Sequence, residues 1–586
     1  MSESTWPSIE EQLAQAQSEP IARLAGTALE RFIRENQDFE LLSPEERPND
    51  KIGLPLWVRV AWRKAHPELE YRAGDPTGGY PLALDALYEW MLAHPDLEPG
   101  SERGGETPPL GDDPLDLGDD DPIGTADAAP DPGGAVALLD RETTAQDFFA
   151  AVAAAPKVGT NRRISGLQVT SRSESDIRVN FRRPRRIIAA SNAFGTGQAQ
   201  FWSTDGGQTW RQTTLPILPQ DLRHGDPTVD WTSDGTAWAT TIGISAAFIL
   251  QLRAYRSADR GRTWSFDATF SGTQTAADKQ MMWADHSGSS PFRNNIYVIW
   301  HNGSPVFVNR RTGPAGAWQT PIQISGAETT GTGIGSDITT NSAGHVFAMW
   351  PDTGSRRIFV AKSTNGGVSF SSPVTLATTF DAFKVGVPSF AFRNALIYVT
   401  AAAYRTSNKD LVYAAWTDLS GAPGCTTSAN EPGTNVSSTC KSRIWFSRSS
   451  NGGTTWAAPT MINNQASLND QFSPRLAVDE DNGDLVIIYD DTVRDATRLR
   501  TDLWCQTSTN DGVTWSASTR VTTAQTDETG SGADLGNQYG DYNGLSGIDG
   551  TFYPSWTDRR GGAREEIWTA KISLEDDDDD DDDDDD

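Results

Sequence analysis

Sulfur and imidazole are scarce in this chain. Its 586 residues hold three cysteines, six methionines and six histidines. The histidines show no metal-ligand spacing. No phosphate-cradling glycine loop and no Ser-His-Asp signature is evident. No apolar run approaches the roughly 18 residues of a membrane-spanning helix, so no span is expected. The segment Met1 to Pro7 lacks a basic stretch followed by an apolar one, so no classical export signal is expected. That leaves the cytoplasm or a non-classical export route. Positive charge is short as well: 49 Lys and Arg stand against 79 Asp and Glu, a net −30, which disfavours a nucleic-acid partner. The acidity is concentrated. Asp576 to Asp586 contribute −11, and residues 101–140, with eleven acids and only Arg103, contribute −10. It therefore says little about the folded surface. The tail reads as a solvated, self-repelling run, a weak Ca²⁺ collector at most. Cys425 and Cys440 flank a polar insertion and are placed to close a disulfide loop, which would imply an oxidising compartment. Cys505 lies in a strand-like run and reads as a buried thiol.

What the chain does have is a phrase repeated five times. Ser203-Thr204-Asp205-Gly206-Gly207-Gln208-Thr209-Trp210 returns around Asp259, Asn365, Asn451 and Asn510, each copy opening on Ser and closing on Trp or Phe. A degenerate copy runs from Asn309 to Trp318. Fixed-period repetition signals a solenoid or propeller. The Asp/Asn-x-Gly centre suits a tight hairpin, because Gly takes positive φ and Asp or Asn bonds its own backbone. The closing aromatic anchors the turn. Asp205, Asp259, Asn365, Asn451 and Asn510 thus read as structural. Each repeat also carries an apolar strand, such as Ile296 to Trp300, Val346 to Trp350, Leu485 to Tyr489 and Thr551 to Trp556. A period near 50 with several short strands fits one four-stranded blade. Up to seven such units lie between about 160 and 574.

Four domains are expected. Residues 1–98 show 3–4 spacing of apolar residues and read as a small all-α domain, a candidate association module for a protein partner. Residues 99–159 form an acidic, Gly- and Pro-rich linker with a short helix. Residues 160–574 form the propeller, and 575–586 the polyacidic tail. The basic run Arg178 to Arg186 reads as a strand entry with a solvated face rather than an anion site. Asp479 to Asp484 faintly resembles a Ca²⁺ loop but lacks the distal Glu, so it reads as a hairpin and no metal is expected.

The repeated phrase resembles the Asp-box (BNR) repeat of sialidase-like β-propellers. The resemblance covers about 160–574 and implies an all-β propeller of six, or seven, four-stranded blades, with the boxes away from the active face. Members of that family attack with a Tyr activated by a Glu, use an Asp as acid/base, and grip the sugar carboxylate with three arginines. Arg forks suit a carboxylate, and a neutral phenol approaches an anionic sugar better than a carboxylate does. The stretch Tyr539 to Gly550 resembles the family's nucleophile region. It implies Tyr542 as nucleophile, with Asp226 and Asp541 as its catalytic partners. Arg475, Arg559, Arg560, Asp278 and Asp285 are the implied substrate-binding set. The family's Arg-Ile-Pro motif has no clean match before the first box, and its central Glu and Arg have none near Arg475 or Asp490. The expected function is a sialidase-like exo-glycosidase acting on an anionic sugar. The rival is a non-catalytic propeller that binds a glycan or a protein.

Overall fold

The computed structural model describes residues 155–574, apart from 166–170, 194–196, 314, 435–437 and 563. The expected helical domain, nearly all of the linker and the acidic tail lie outside the described residues. Seven antiparallel sheets follow one another along the chain. Blade 1 runs from Arg172 to Thr214, blade 2 from Asp221 to Thr269 and blade 3 from Ala277 to Gln323. Blades 4, 5 and 6 run from Asp337 to Thr378, Val399 to Met461 and Gln471 to Arg520. Blade 7 uses Gly544–Ile548, Thr551–Asp558 and Glu566–Thr569. Its outer strand, Arg162–Arg163, comes from the other end of the propeller and pairs with Trp568 and Thr569. Lys157–Val158 also pairs with Ile572–Ser573, so the first described strand closes the ring a few residues before the boundary read from sequence.

The fold expectation needs correction. The ring has seven blades rather than six: the seventh unit has its own inner strand and is completed by Arg162–Arg163. The all-α part of that expectation falls outside the described residues, and the described propeller is all-β.

Second strands hold the ring together. In blades 3 to 7 each ends its apolar run on a large aromatic, and Trp300, Trp350, Trp416, Tyr489 and Trp556 are all buried. They fill the spaces between successive blades. The core is accordingly a series of clusters, for example Trp238, Leu252, Met282 and Trp300 between blades 2 and 3. Burying that aromatic area is the main stabilising contribution of each blade contact.

The five repeated turns share one geometry. In blade 1, Ser203 Oγ donates to Asp205 Oδ1 at 2.7 Å and accepts from Gly207 N at 3.0 Å. Asp205 takes Thr209 N and Thr209 Oγ1 at 3.0 and 2.6 Å, and Trp210 Nε1 donates to Gly207 O at 3.0 Å. Asp259, Asn365, Asn451 and Asn510 repeat the pattern. These side chains are consumed by their own turns, and Gly206 and Gly207 take positive φ there. Third strands run parallel to inner strands, so the turns lie on the face where inner strands end. The opposite face, where inner strands begin, is left for another use.

Candidate functional site

Inner strands begin with a bulge at the same place in four blades. The register shifts between Ser173 and Asp176, Gly225 and Thr228, Asp278 and Met281, and Phe472 and Arg475. Inside each bulge one non-glycine residue is left-handed: Glu174 (φ 53°), Asp226 (50°), Lys279 (51°) and Ser473 (52°). Such a conformation costs roughly 1–2 kcal/mol per residue and re-aims the side chain, which is why it concentrates at functional sites. Bonds between neighbouring inner strands set the equivalence. Asp176 accepts from Val229 N, Thr228 from Met282 N, Asp337 from Ala401 N and Thr400 from Leu476 N. Two residues before these acceptors lie Glu174, Asp226, Gly335 and Tyr398, and three before the donors Met282 and Leu476 lie Lys279 and Ser473. In blade 7 the matching position is Tyr542, two before Gly544, whose missing Cβ makes room for Ile177 N and Asp176. Seven equivalent positions therefore ring the mouth of the channel.

Chemistry gathers on one side of that ring. The Lys279 ammonium sits 3.7 Å from the centre of the Tyr542 ring and 4.8 Å from that of Tyr398. Its hydrogen-bond partner is the Met281 sulfur at 3.2 Å. Among the described residues no carboxylate forms an ion pair with it; Asp226 and Asp541 act on it through space. Burial lowers its pKa, and those two acids resist the fall. Burial, against the pull of Lys279 and with the push of Asp541, raises Asp226 to about 6. Tyr542 is buried and donates to Pro227 O at 3.2 Å. Burial raises its phenol well above the usual value, and the charges of Asp226 and Glu174 add to the effect. It is thus a neutral phenol in a field of acids.

A rim closes the mouth over blades 5 and 7. Tyr398 Oη donates to Asp541 Oδ2 at 3.0 Å, and Arg393 bonds the other oxygen of Asp541. Arg393 also reaches Gly536 O at 2.8 Å, and its backbone N donates to Gln538 Oε1 at 2.8 Å. The ribbon that leads to Arg393, Lys384–Val385 paired with Ala395–Leu396, belongs to the insertion visible as an enlarged repeat. Cys425 and Cys440 are disulfide-bonded, with Cα atoms 4.9 Å apart. The loop they close holds the ribbon: Glu431 accepts from Gly386 N at 2.8 Å, and Gly433 N donates to Gly386 O at 2.6 Å. Cys505 is a buried free thiol.

No protein-family model matches the chain, and no curated protein matches it. Solved structures with a similar fold do exist. A protein of unknown function from Dyadobacter fermentans is 13% identical, covering 72% of this chain and 99% of its own, at a TM-score of 0.40. A lectin from Burkholderia pseudomallei is 11% identical over 59% of this chain and 84% of its own, at 0.40. A sialidase from Streptococcus pneumoniae is 11% identical over 70% of each chain, at 0.35. Likenesses this weak carry no argument about activity.

The residues expected from sequence divide into three places. Tyr542, Asp226 and Asp541 meet at the mouth, with Asp278 beside Lys279 and 3.8 Å from His301. Arg475 lies one step deeper in the channel, where Nη1 bonds Asp337 at 2.9 Å. Asp285 follows the far end of the same inner strand as Asp278, about 20 Å away at the usual rise per residue. There it takes Ser290 Oγ at 2.5 Å, and burial raises it to about 6. Arg559 spends its fork on the carbonyls of Asp527, Ser531 and Gly562. Arg560 bonds Asp558 at 2.6 Å and stacks 3.9 Å over Trp568. No described contact joins either arginine to Tyr542. Asp479 caps the hairpin after blade 6's inner strand, accepting from Asp481 N and Gly550 N. Sequence reading missed Lys279, Arg393, Tyr398 and Glu174 as site residues. The shared spacing of Asp226-Pro227-Thr228 and Ser473-Pro474-Arg475 was the available signal for the ring. Arg393 lies in the insertion and had none.

No helix among the described residues is long and apolar enough to cross a membrane.

Proposed function

We propose that the protein acts on glycans at this mouth, as an exo-glycosidase of sialidase-like Asp-box type that takes an anionic sugar. The observation that carries the reading is Lys279: a buried ammonium held by two aromatic faces and a sulfur, with no ion-pair partner among the described residues. A sugar carboxylate would give the ammonium the direct ion pair that Asp226 and Asp541 do not make. Tyr542 is then the nucleophile and Asp226 the acid/base. The phenol oxygen attacks the anomeric carbon as the bond to the leaving oxygen breaks. Asp226 gives that oxygen its proton, and the phenolic proton passes to a carboxylate of the cluster. Water then releases the sugar from Tyr542 by the reverse transfers. A carboxyl near pKa 6 suits that role, since it carries its proton at mildly acidic pH.

A second reading is a propeller that binds the glycan without cleaving it. It is favoured by the Tyr542 hydroxyl, which donates to the Pro227 carbonyl rather than to a base, and by the pairing of Arg393 with Asp541 and Arg475 with Asp337. That pairing leaves no unpaired arginine trio at the mouth among the described residues. Hydrolysis of a fluorogenic sialoside, with Tyr542→Phe and Asp226→Asn as controls, separates the two. Turnover lost in both variants supports the enzyme. Glycan-array binding that needs Lys279, without turnover on any anionic glycoside, supports the binder. Neither turnover nor Lys279-dependent binding removes both.

A further inference from the structure

The chain carries a net charge of −30, yet one surface of the propeller is basic. Blade 1 turns between its first two strands through Asn180 to Arg186. Asn180 N donates to Arg186 O at 2.8 Å, and Asn180 Oδ1 accepts from the backbone N of Arg182 and Arg183, both at 3.1 Å. The turn is therefore internally satisfied, and Arg182, Arg183 and Arg185 point outward and exposed. Arg260 and Arg262 come from the repeated turn of blade 2, which packs against Ile188 and Trp202 of blade 1. Arg183, Arg185, Arg186 and Arg260 form no ion pair among the described residues. Burial and the charges of Arg260 and Arg183 lower the pKa of Arg186, so these cations crowd one another.

Arg260 is the informative member. It stands at φ 73° in the repeated turn. Blades 1, 4 and 5 place Gly206, Gly366 and Gly452 there, and blade 6 places Asp511, also left-handed at φ 62° and ion-paired with Lys409. A left-handed arginine where glycine fits better marks a position held for something other than the turn.

The described chain leaves the propeller beside this surface. Leu574 N donates to Gly550 O at 2.9 Å. The hollow next to it is lined by Arg162, Arg185 and Lys571, together with Asp205 and Asp549. Asp205 is spent on its own turn, and Asp549 pairs with Asp481. Twelve acidic residues follow, Glu575 to Asp586. Fully extended they reach about 40 Å, enough to cross from blade 7 to the arginines of blades 1 and 2. We infer that this acidic tail docks on the arginine surface made by Arg182 to Arg186 and Arg260, and covers it in the intact protein. Opposite charge and an intramolecular tether favour that occupant over an external polyanion, because the tether holds the tail at a high effective concentration.

The test is fluorescence anisotropy of a labelled twelve-aspartate peptide, titrated with the full chain at low salt. The wild type is compared with a chain of equal length carrying Glu575→Gln and Asn at each of Asp576 to Asp586. The amide-tailed chain should bind the peptide about tenfold more tightly or better, lose it at high salt, and lose it on Arg183→Ser, Arg185→Ser, Arg186→Ser substitution. Arg260→Gly, which places there the residue found in blades 1, 4 and 5, should also weaken the peptide. Equal binding by wild type and amide-tailed chain would overturn the inference and assign the surface to an external polyanion. No binding by the amide-tailed chain would overturn it too, and would leave no polyanion surface at all.

Discussion

The Lys279 ammonium lies 3.7 Å from the centre of the Tyr542 ring, and both residues occupy the same step of their inner strands. The ring's negative face partly replaces the water that burial removed from the ammonium. Asp226 and Asp541 flank the pair and share its field. Changing Lys279 therefore changes the protonation of Asp226.

Lys279→Met should raise the Asp226 pKa above its present value of about 6, because removing a cation favours the protonated acid. The substitution should cost little stability, because no carboxylate pairs directly with the ammonium and its burial is itself costly. The pH profile of ligand binding or turnover reads the first effect and urea denaturation the second. An unmoved profile would mean that Lys279 and Asp226 are not coupled.

Stability should be highest under mildly acidic conditions. Burial raises Asp490 to about 8, and the charges of Asp558 and Asp491 add to it against an Asn543 hydrogen bond. Burial likewise raises Asp418 and Glu431 to about 7 each, against the backbone N–H bonds they accept. Their ordinary values are 3.8 and 4.5, so the folded state holds these protons more tightly than the unfolded one. The stabilisation is complete below the ordinary values and is lost as pH rises through about 7 to 8. Thermal denaturation across that window should show a falling Tm, and Asp490→Asn should flatten part of the fall. A Tm that rises with pH would contradict the assignment.

The disulfide should matter to the mouth as well as to stability. Cys425 and Cys440 are separated by 15 positions, and a loop of that length contributes about 3 kcal/mol. Cys425→Ser with Cys440→Ser, or reduction, should lower Tm accordingly. Losing the closed loop also loosens the grip of Glu431 on Gly386, and with it the ribbon that presents Arg393 to Asp541. Affinity for the mouth's ligand should fall with it. Unchanged affinity in the double serine variant would show that Arg393 is placed by the ribbon alone.

The repeats made the architecture legible because each blade is a local unit. The Ser203 to Trp210 phrase closes its hydrogen bonds within eight residues, so its sequence is enough to predict its shape. The second-strand aromatics were equally readable, since Trp300 and Trp350 end apolar runs of strand length. The blade count was not, because closure is a long-range event. Whether the last unit becomes a complete blade depends on Arg162 finding Thr569 across the whole propeller.

Tyr542, Asp226 and Asp541 could be singled out from sequence because each stands in a recognisable local phrase. Their meeting could not be read there. Asp226 and Tyr542 are more than three hundred positions apart, and a bulge in one strand and a glycine in another bring them to one mouth. Asp278 and Asp285, seven positions apart, are parted by the inner strand between them, Ala277–Ala284. Local hydrogen bonds and apolar period determined the blades from the chain alone. Only the closed ring decided which charges share a low-dielectric mouth, because burial and proximity between blades exist only after all seven have packed.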